Sequence, residues 1–239
     1  MTWPQRTAFA ALVAWLTAVV FMTATAWRVY GEDFRGYYAA ARVVLAGGDP
    51  YDYRQVAPVL QAVTGRVGNN PYYYPPWFVA GVLPLAWLPF QAARAVWLAL
   101  SAGAWVAGLI VAARALEWPA SQALRGLWAW GARWALFGLA TFVFAWITWR
   151  FEQLGVWLFA FLAAAVWALR AGRDRWAGAW LALLLTKPTA SAVFVAALLL
   201  WAARRGRREG WVGVGLALAG LLAVGSLAAP GWLTALGAP

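Results

Sequence analysis

Of 239 residues, 64% are hydrophobic and only 11% are charged, and mean hydropathy is +0.66. Soluble domains carry about 25% charged residues, so this composition excludes an ordinary soluble globule and points to one integral membrane domain over 1–239. The net charge of +11 comes from basic residues set between apolar runs, as in membrane anchors rather than a nucleic-acid surface, and the absence of Cys and His removes disulfides, thiolates, imidazole bases and most zinc sites.

The first predicted span is Ala8–Trp27. Its length of about 20 residues is enough to cross about 30 Å of hydrocarbon. It is longer than a signal-peptide core, and no clear cleavage motif follows. Arg6 ahead of it favours a cytoplasmic start. An outer loop follows, over residues 30–77, with Glu32, Asp33, Asp49 and Asp52 among the chain's eight acidic residues. Within it, Gly36–Leu45 has helical spacing with one apolar face, as in a helix lying in the membrane interface. Gly47-Gly48-Asp49-Pro50 is turn chemistry. Tyr53–Val63 is a second short helix, and Gly65–Pro71 is a turn-rich break.

Trp77–Pro89 is apolar but contains Pro84 and ends in Pro89. As a helix it would rise only about 20 Å, too short for a comfortable crossing, so it is predicted to be re-entrant from the outer side. Ala92–Ala113, Trp134–Trp149, Leu154–Leu169 and Trp211–Ala229 are further predicted spans. Trp176–Trp201 is interrupted at Thr186-Lys187-Pro188-Thr189. Either it goes out and back as a broken pair, or it is one long kinked helix. The pair keeps Arg204, Arg205, Arg207 and Arg208 on the same side as Arg170, Arg173 and Arg175, which the positive-inside rule favours. The fold expected is all-α and polytopic, with about seven transmembrane helices, a re-entrant segment and a first outer loop carrying amphipathic helices.

Polar chemistry has few places to sit in such a chain. Glu32 and Asp33, just after the first span, suit a general base that removes a proton from an acceptor hydroxyl. Partial desolvation near the membrane would raise such a carboxylate's pKa. The plain alternative is a solvated pair at a helix end. Lys187, the chain's one lysine, precedes a proline that pushes it out of helical geometry. A cation at a broken helix suits a phosphate oxygen, against the alternative of a lysine snorkelling from a helix end. Arg35 and Arg42 suit the same phosphate or phospholipid headgroups. Tyr37, Tyr74 and Trp77 offer a platform for a sugar or a polyprenyl chain, or an interfacial aromatic belt. Glu152 and Gln153, in a tight outer turn, suit acceptor hydroxyls or are a plain loop. No motif calls for a metal or a cofactor, and no Gly-x-x-x-x-Gly-Lys nucleotide loop is present.

Taken in order, Asp33-Phe34, Tyr37-Tyr38-Ala39-Ala40-Ala41, Gly47-Gly48-Asp49-Pro50-Tyr51, Tyr74-Pro75-Pro76-Trp77-Phe78, the Pro84–Pro89 segment and Leu185-Thr186-Lys187-Pro188 resemble glycosyltransferase family 87. The resemblance covers roughly Thr7 to Trp232. It implies a GT-C fold and a multi-pass inner (plasma) membrane enzyme. Such an enzyme moves a hexose, mannose in this family, from a polyprenyl-phosphate donor to a lipid or glycan hydroxyl at the outer face. It implies Asp33 as the catalytic aspartate, with Glu32 as helper, and Lys187 as the basic position of the Lys-Pro segment. The family usually shows Gly-Gln where this chain has Glu152-Gln153. Its members also carry further C-terminal helices, so the chain reads as a partial member. The partners expected are donor, acceptor and membrane lipids, with no nucleic acid and no cofactor. The rival class is a lipid or sugar transporter, which would also use a broken helix with a lysine but often shows two related halves. A third reading is a truncated, inactive homologue acting as an assembly partner.

Overall fold

The structure, a computed structural model, describes residues 32–65, 71–115 and 146–235, with scattered positions between 10 and 21 and residue 144. Most of the predicted span Ala8–Trp27, most of Trp134–Trp149, and the Arg125 and Arg133 anchors lie outside the described residues. Among those described, every regular element is a helix. These are α1 (Glu32–Leu45), α2 (Tyr53–Thr64), α3 (Pro76–Ala86), α4 (Phe90–Ala115), α5 (Gly155–Arg170), α6 (Asp174–Leu184), α7 (Pro188–Arg204), α8 (Glu209–Ala228) and the short α9 (Trp232–Ala235).

Local chemistry sets most of these boundaries. In α1, acidic residues begin the helix and Arg42 lies in its last turn, the arrangement that complements the helix dipole. Gly47 adopts φ 78°, and the Gly47 and Gly48 amides donate back to the Val44 and Val43 carbonyls at 2.9 Å each. That is a Schellman stop, which needs a left-handed residue and so favours glycine. Asp52 then caps α2 by accepting from the Arg54 amide at 3.0 Å, while Gln55 reaches back to the same carboxylate at 3.1 Å. Pro76 takes the first position of α3, where its missing N–H costs nothing.

The helices form a closed circuit of packing. α1 packs on α2, α3 and α4, α4 on α5, α5 on α6, α6 on α8, and α8 back on α3. Where α6 crosses α8, a Cβ on Gly178 would meet the Gly210 carbonyl oxygen at 2.2 Å, and one on Gly213 would meet the Arg175 carbonyl oxygen at 2.2 Å. Small residues here let the two backbones touch, as at helix crossings in lipid. α4 and α8, of 26 and 20 residues, are long and apolar enough to cross a membrane by length and composition. α3, α5 and α7 are shorter apolar helices. Large side chains such as Val193, Phe194, Leu216 and Leu227 face outward, an apolar exterior that water would not favour.

α1 is more enclosed than one apolar face implies, with Arg42 and Leu45 left exposed near its end. Phe34, Tyr37, Tyr38, Ala39, Ala40 and Ala41 are all buried, because α1 has α2, α3 and α4 packed around it. As the charge pattern favoured, the break at Lys187 separates two helices, α6 and α7, rather than kinking one. Arg207 donates to the Leu169 carbonyl at 2.7 Å and pairs with Asp174, so the chain returns through α7 to the end it left through α6. The arginines of the α5–α6 and α7–α8 turns therefore share one end of the bundle.

Candidate active site

At the other end, a cleft of about 280 Å³ opens where three distant segments meet. Its walls are Asp33, Gly36 and Tyr37 from α1, residues 71–74, and Thr186, Lys187, Pro188 and Thr189 from the α6–α7 break. Asp33, Tyr37, Tyr74 and Lys187, singled out from sequence, thus line one space.

The aromatic core fixes Asp33. Phe34 is fully buried, stacking on Trp97 with centroids 5.4 Å apart and on Phe90 at 6.1 Å. With Phe34 turned inward and successive side chains about 100° apart, its half-buried neighbour Asp33 falls at the cleft wall. The Asp33 amide donates to the Phe151 carbonyl at 3.3 Å, which ties the start of α1 to the turn before α5.

Tyr37 extends the carboxylate's network. Its hydroxyl donates to Asp33 Oδ2 at 3.4 Å and lies 2.9 Å from the Tyr74 hydroxyl. Burial pushes the Tyr37 hydroxyl well above its ordinary pKa, with Tyr74 and Asp33 adding to the rise. Burial also raises Tyr74. Both phenols therefore keep their protons at neutral pH. If Tyr37 gives its one proton to Asp33, Tyr74 must donate to Tyr37, a chain directed toward the carboxylate. The Tyr74 backbone is held in turn by the Tyr51 hydroxyl, which donates to its carbonyl at 2.9 Å.

Across the cleft, Lys187 is the half-buried residue that precedes the first turn of α7, and its backbone is extended, at φ −132° and ψ 76°. Pro188 starts the helix, so a cation stands at the positive end of a helix dipole, a combination that suits an anion. The Thr186 hydroxyl accepts from the Trp77 indole at 3.0 Å, which couples this break to the Tyr-Tyr-Tyr-Pro-Pro-Trp strip.

Other predicted residues fall elsewhere. Arg42, expected on a phosphate or on phospholipid headgroups, lies outside the cleft lining, and its Nη1 donates to the Ala86 carbonyl at the end of α3 at 3.2 Å. Arg35 is half-buried and lies outside the cleft lining. Trp77, expected on a sugar, a polyprenyl chain or an interfacial belt, is half-buried and donates its indole N–H to Thr186 of the cleft wall. The Glu32 side chain lies outside the described residues. Gln153 closes a helix end through its amide, which donates to the Thr148 carbonyl at 2.8 Å. Glu152, expected to meet acceptor hydroxyls from an exposed turn, points inward and pairs with Arg94 Nε at 2.5 Å, its side chain 0% exposed. Low-dielectric surroundings draw the two charges together once neither can reach water. Burial pushes the Glu152 carboxyl up to about 7, against the pull of Arg94, and Asp33 adds to the rise. The sequence reading did not single out Arg94. The signal was there: a lone arginine early in an apolar span rarely stands idle.

A model of glycosyltransferase family 87 matches residues 72–239, well over half of the chain. No curated protein and no solved structure matches. The matched segment begins at Tyr72, so it holds the aromatic strip, the Lys187 break and the helices that join them, while α1 packs against it from outside the match. On the extent of that match, the chain belongs to glycosyltransferase family 87.

Proposed function

We propose that this membrane protein transfers a hexose, mannose in the first instance, from a polyprenyl phosphate to a hydroxyl of a lipid or glycan. The observation that carries the reading is the cleft itself, which sets a carboxylate, Asp33, opposite a cation at a helix N-terminus, Lys187. The acceptor oxygen attacks the sugar's anomeric carbon, and the bond from that carbon to the phosphate oxygen breaks. The hydroxyl proton passes to Asp33, and the polyprenyl phosphate leaves with the bonding pair. Lys187 and the α7 dipole stabilise charge as it builds on the phosphate. Tyr37 donates to Asp33 Oδ2, which orients the carboxylate at the cleft wall. Glu152 is withdrawn onto Arg94, so Asp33 is the acidic residue among the described lining. A single displacement with inversion fits that arrangement, because a covalent route needs a nucleophile of its own.

The donor's chain and phosphate would lie at the membrane surface, and no nucleotide-binding loop is needed. The arginine-rich end is read as cytoplasmic and the cleft end as extracytoplasmic, in the inner membrane, from the charge bias between the two ends. The deciding experiment incubates the full chain with radiolabelled polyprenyl-phosphate mannose and native lipid extract. Labelled product of inverted anomeric configuration is expected. Donor bound but never consumed, with labelled lipid moved between leaflets, would replace this reading with a transporter.

A further inference from the structure

We infer that Tyr73 is the sugar-binding residue on the acceptor side of the cleft. Its exposed ring stacks on a pyranose ring of the acceptor, so that the acceptor is a glycoside and not a bare alcohol. The inference rests on the reading of the cleft as a transferase site with Asp33 as its base.

The rings around Tyr73 are already engaged. Tyr72 is buried and stacks on Phe78 with the rings 5° from parallel, and its hydroxyl donates to the Pro75 carbonyl at 3.3 Å. Tyr74 sets its ring edge-on to Tyr37 at 4.9 Å, with the two hydroxyls 2.9 Å apart. The Tyr37 ring is itself buried, edge-on to Phe78 at 4.8 Å and to Trp97 at 5.7 Å. Tyr73 goes the other way. It is 82% exposed, and among the described residues it meets no ring and no hydrogen-bond partner. Residues 72 and 74 turn inward and residue 73 outward, the period-two alternation of extended chain. Anchors on both flanks thus hold one bare ring outward. A ring presented in this way has little entropy left to lose on binding.

A lone exposed aromatic is ordinary on a protein surface, and it is the place of Tyr73 that gives it a role. Tyr73 lines the cleft together with Asp33 and Lys187. Its chain neighbour Tyr74 heads the hydroxyl chain that runs through Tyr37 to Asp33 Oδ2, whereas Lys187 comes from the α6–α7 break. The ring therefore belongs to the segment that serves the base, where the acceptor hydroxyl gives up its proton, and not to the segment that holds the donor phosphate. Asp33, Lys187 and Thr189 supply polar groups in the same lining. A pyranose matches this setting, with a C–H face that lies on an aromatic ring and a rim of hydroxyls that need donors and acceptors. A polyprenyl or acyl chain has no use for the polar rim, and a phosphate has none for the ring.

The test uses the full chain in nanodiscs and its variants Tyr73→Ala, Tyr73→Phe and Tyr73→Trp, with melting temperature as the folding control. Binding of methyl α-mannoside, a sugar without a lipid chain, is followed by saturation-transfer NMR. Tyr73→Ala should weaken it about threefold to tenfold, the range of one aromatic contact, while the two ring-bearing variants keep it. Affinity for polyprenyl-phosphate mannose should stay in place. In turnover, Tyr73→Ala should raise KM for octyl mannoside by a similar factor with kcat retained, and leave KM for octanol unchanged. Loss of donor affinity in Tyr73→Ala would assign the ring to the donor. An equal rise in KM for octyl mannoside and octanol would assign it to the alkyl chain. Mannoside that fails to bind the parent, or binds Tyr73→Ala equally well, would leave Tyr73 an interfacial anchor. Each of these results overturns the inference. A parent that binds mannoside through Tyr73 but transfers nothing removes the functional reading alone, while an active parent with binding and KM unmoved by Tyr73→Ala removes this inference alone.

Discussion

Replacing Lys187 by methionine is the most direct probe of the cleft. The change keeps an unbranched apolar side chain of similar length and removes the charge. A hydrogen bond to a charged group contributes about 1.5–3 kcal/mol. Lys187 is half-buried, so solvent screens part of that contact, and the α7 dipole remains to hold an anion in the variant. The loss should therefore lie at the low end, about 1.5–2 kcal/mol, or roughly tenfold to thirtyfold in donor affinity. Lys187→Arg should restore only part of the affinity, because a planar fork cannot take the place of a compact ammonium beside Pro188. The assay is equilibrium binding of polyprenyl phosphate in detergent or nanodiscs, with melting temperature as the control for folding. Unchanged affinity in a folded Lys187→Met protein would refute the placement of phosphate at the α6–α7 break.

Four further outcomes are expected. Asp33→Asn keeps the shape but cannot accept a proton, so turnover should fall at least about a hundredfold, with donor binding nearly intact in the same binding assay. Gly178→Leu should lower the melting temperature sharply, because even a Cβ there meets the Gly210 carbonyl oxygen at 2.2 Å and the Val214 nitrogen at 2.6 Å, and two backbones cannot yield as a side chain can. Glu152 gives a pH signature. Its folded carboxyl, raised to about 7 from 4.5, favours the folded state most at low pH. That contribution, on the order of 3 kcal/mol at its fullest, should fade as pH rises from about 4.5 through about 7, and Glu152→Gln should flatten the dependence in thermal melts followed by tryptophan fluorescence. Finally, single cysteines introduced at positions 74 and 173 into this cysteine-free chain should label from opposite faces of the membrane, and labelling of both from one face would reject the topology.

Much of the helical architecture was legible in the chain itself. Apolar runs long enough to cross a bilayer, punctuated by arginines, fix where α4 and α8 lie, since length and hydropathy decide membrane crossing almost independently of packing. Gly47-Gly48, Asp52 and Pro76 set helix ends through local hydrogen bonds and fixed φ, and these need no distant partner. Lys187 before Pro188 marked a break for the same reason. Tertiary structure decided the rest. The spacing of α1 showed one apolar face, but only the neighbours packed around it buried the run Gly36–Ala41 and turned Phe34 onto Trp97. The Ala86 carbonyl that Arg42 meets and the Arg94 that Glu152 meets lie far along the chain, so sequence left Arg42 to a phosphate or headgroup and Glu152 to an outer turn. The meeting of Asp33 with Lys187 in one cleft belongs to neither segment. It depends on α3 packing between α1 and α8, and on the Trp77–Thr186 bond that brings the aromatic strip to the break, because contacts between distant segments follow from how helices pack and not from any local preference of the residues that make them.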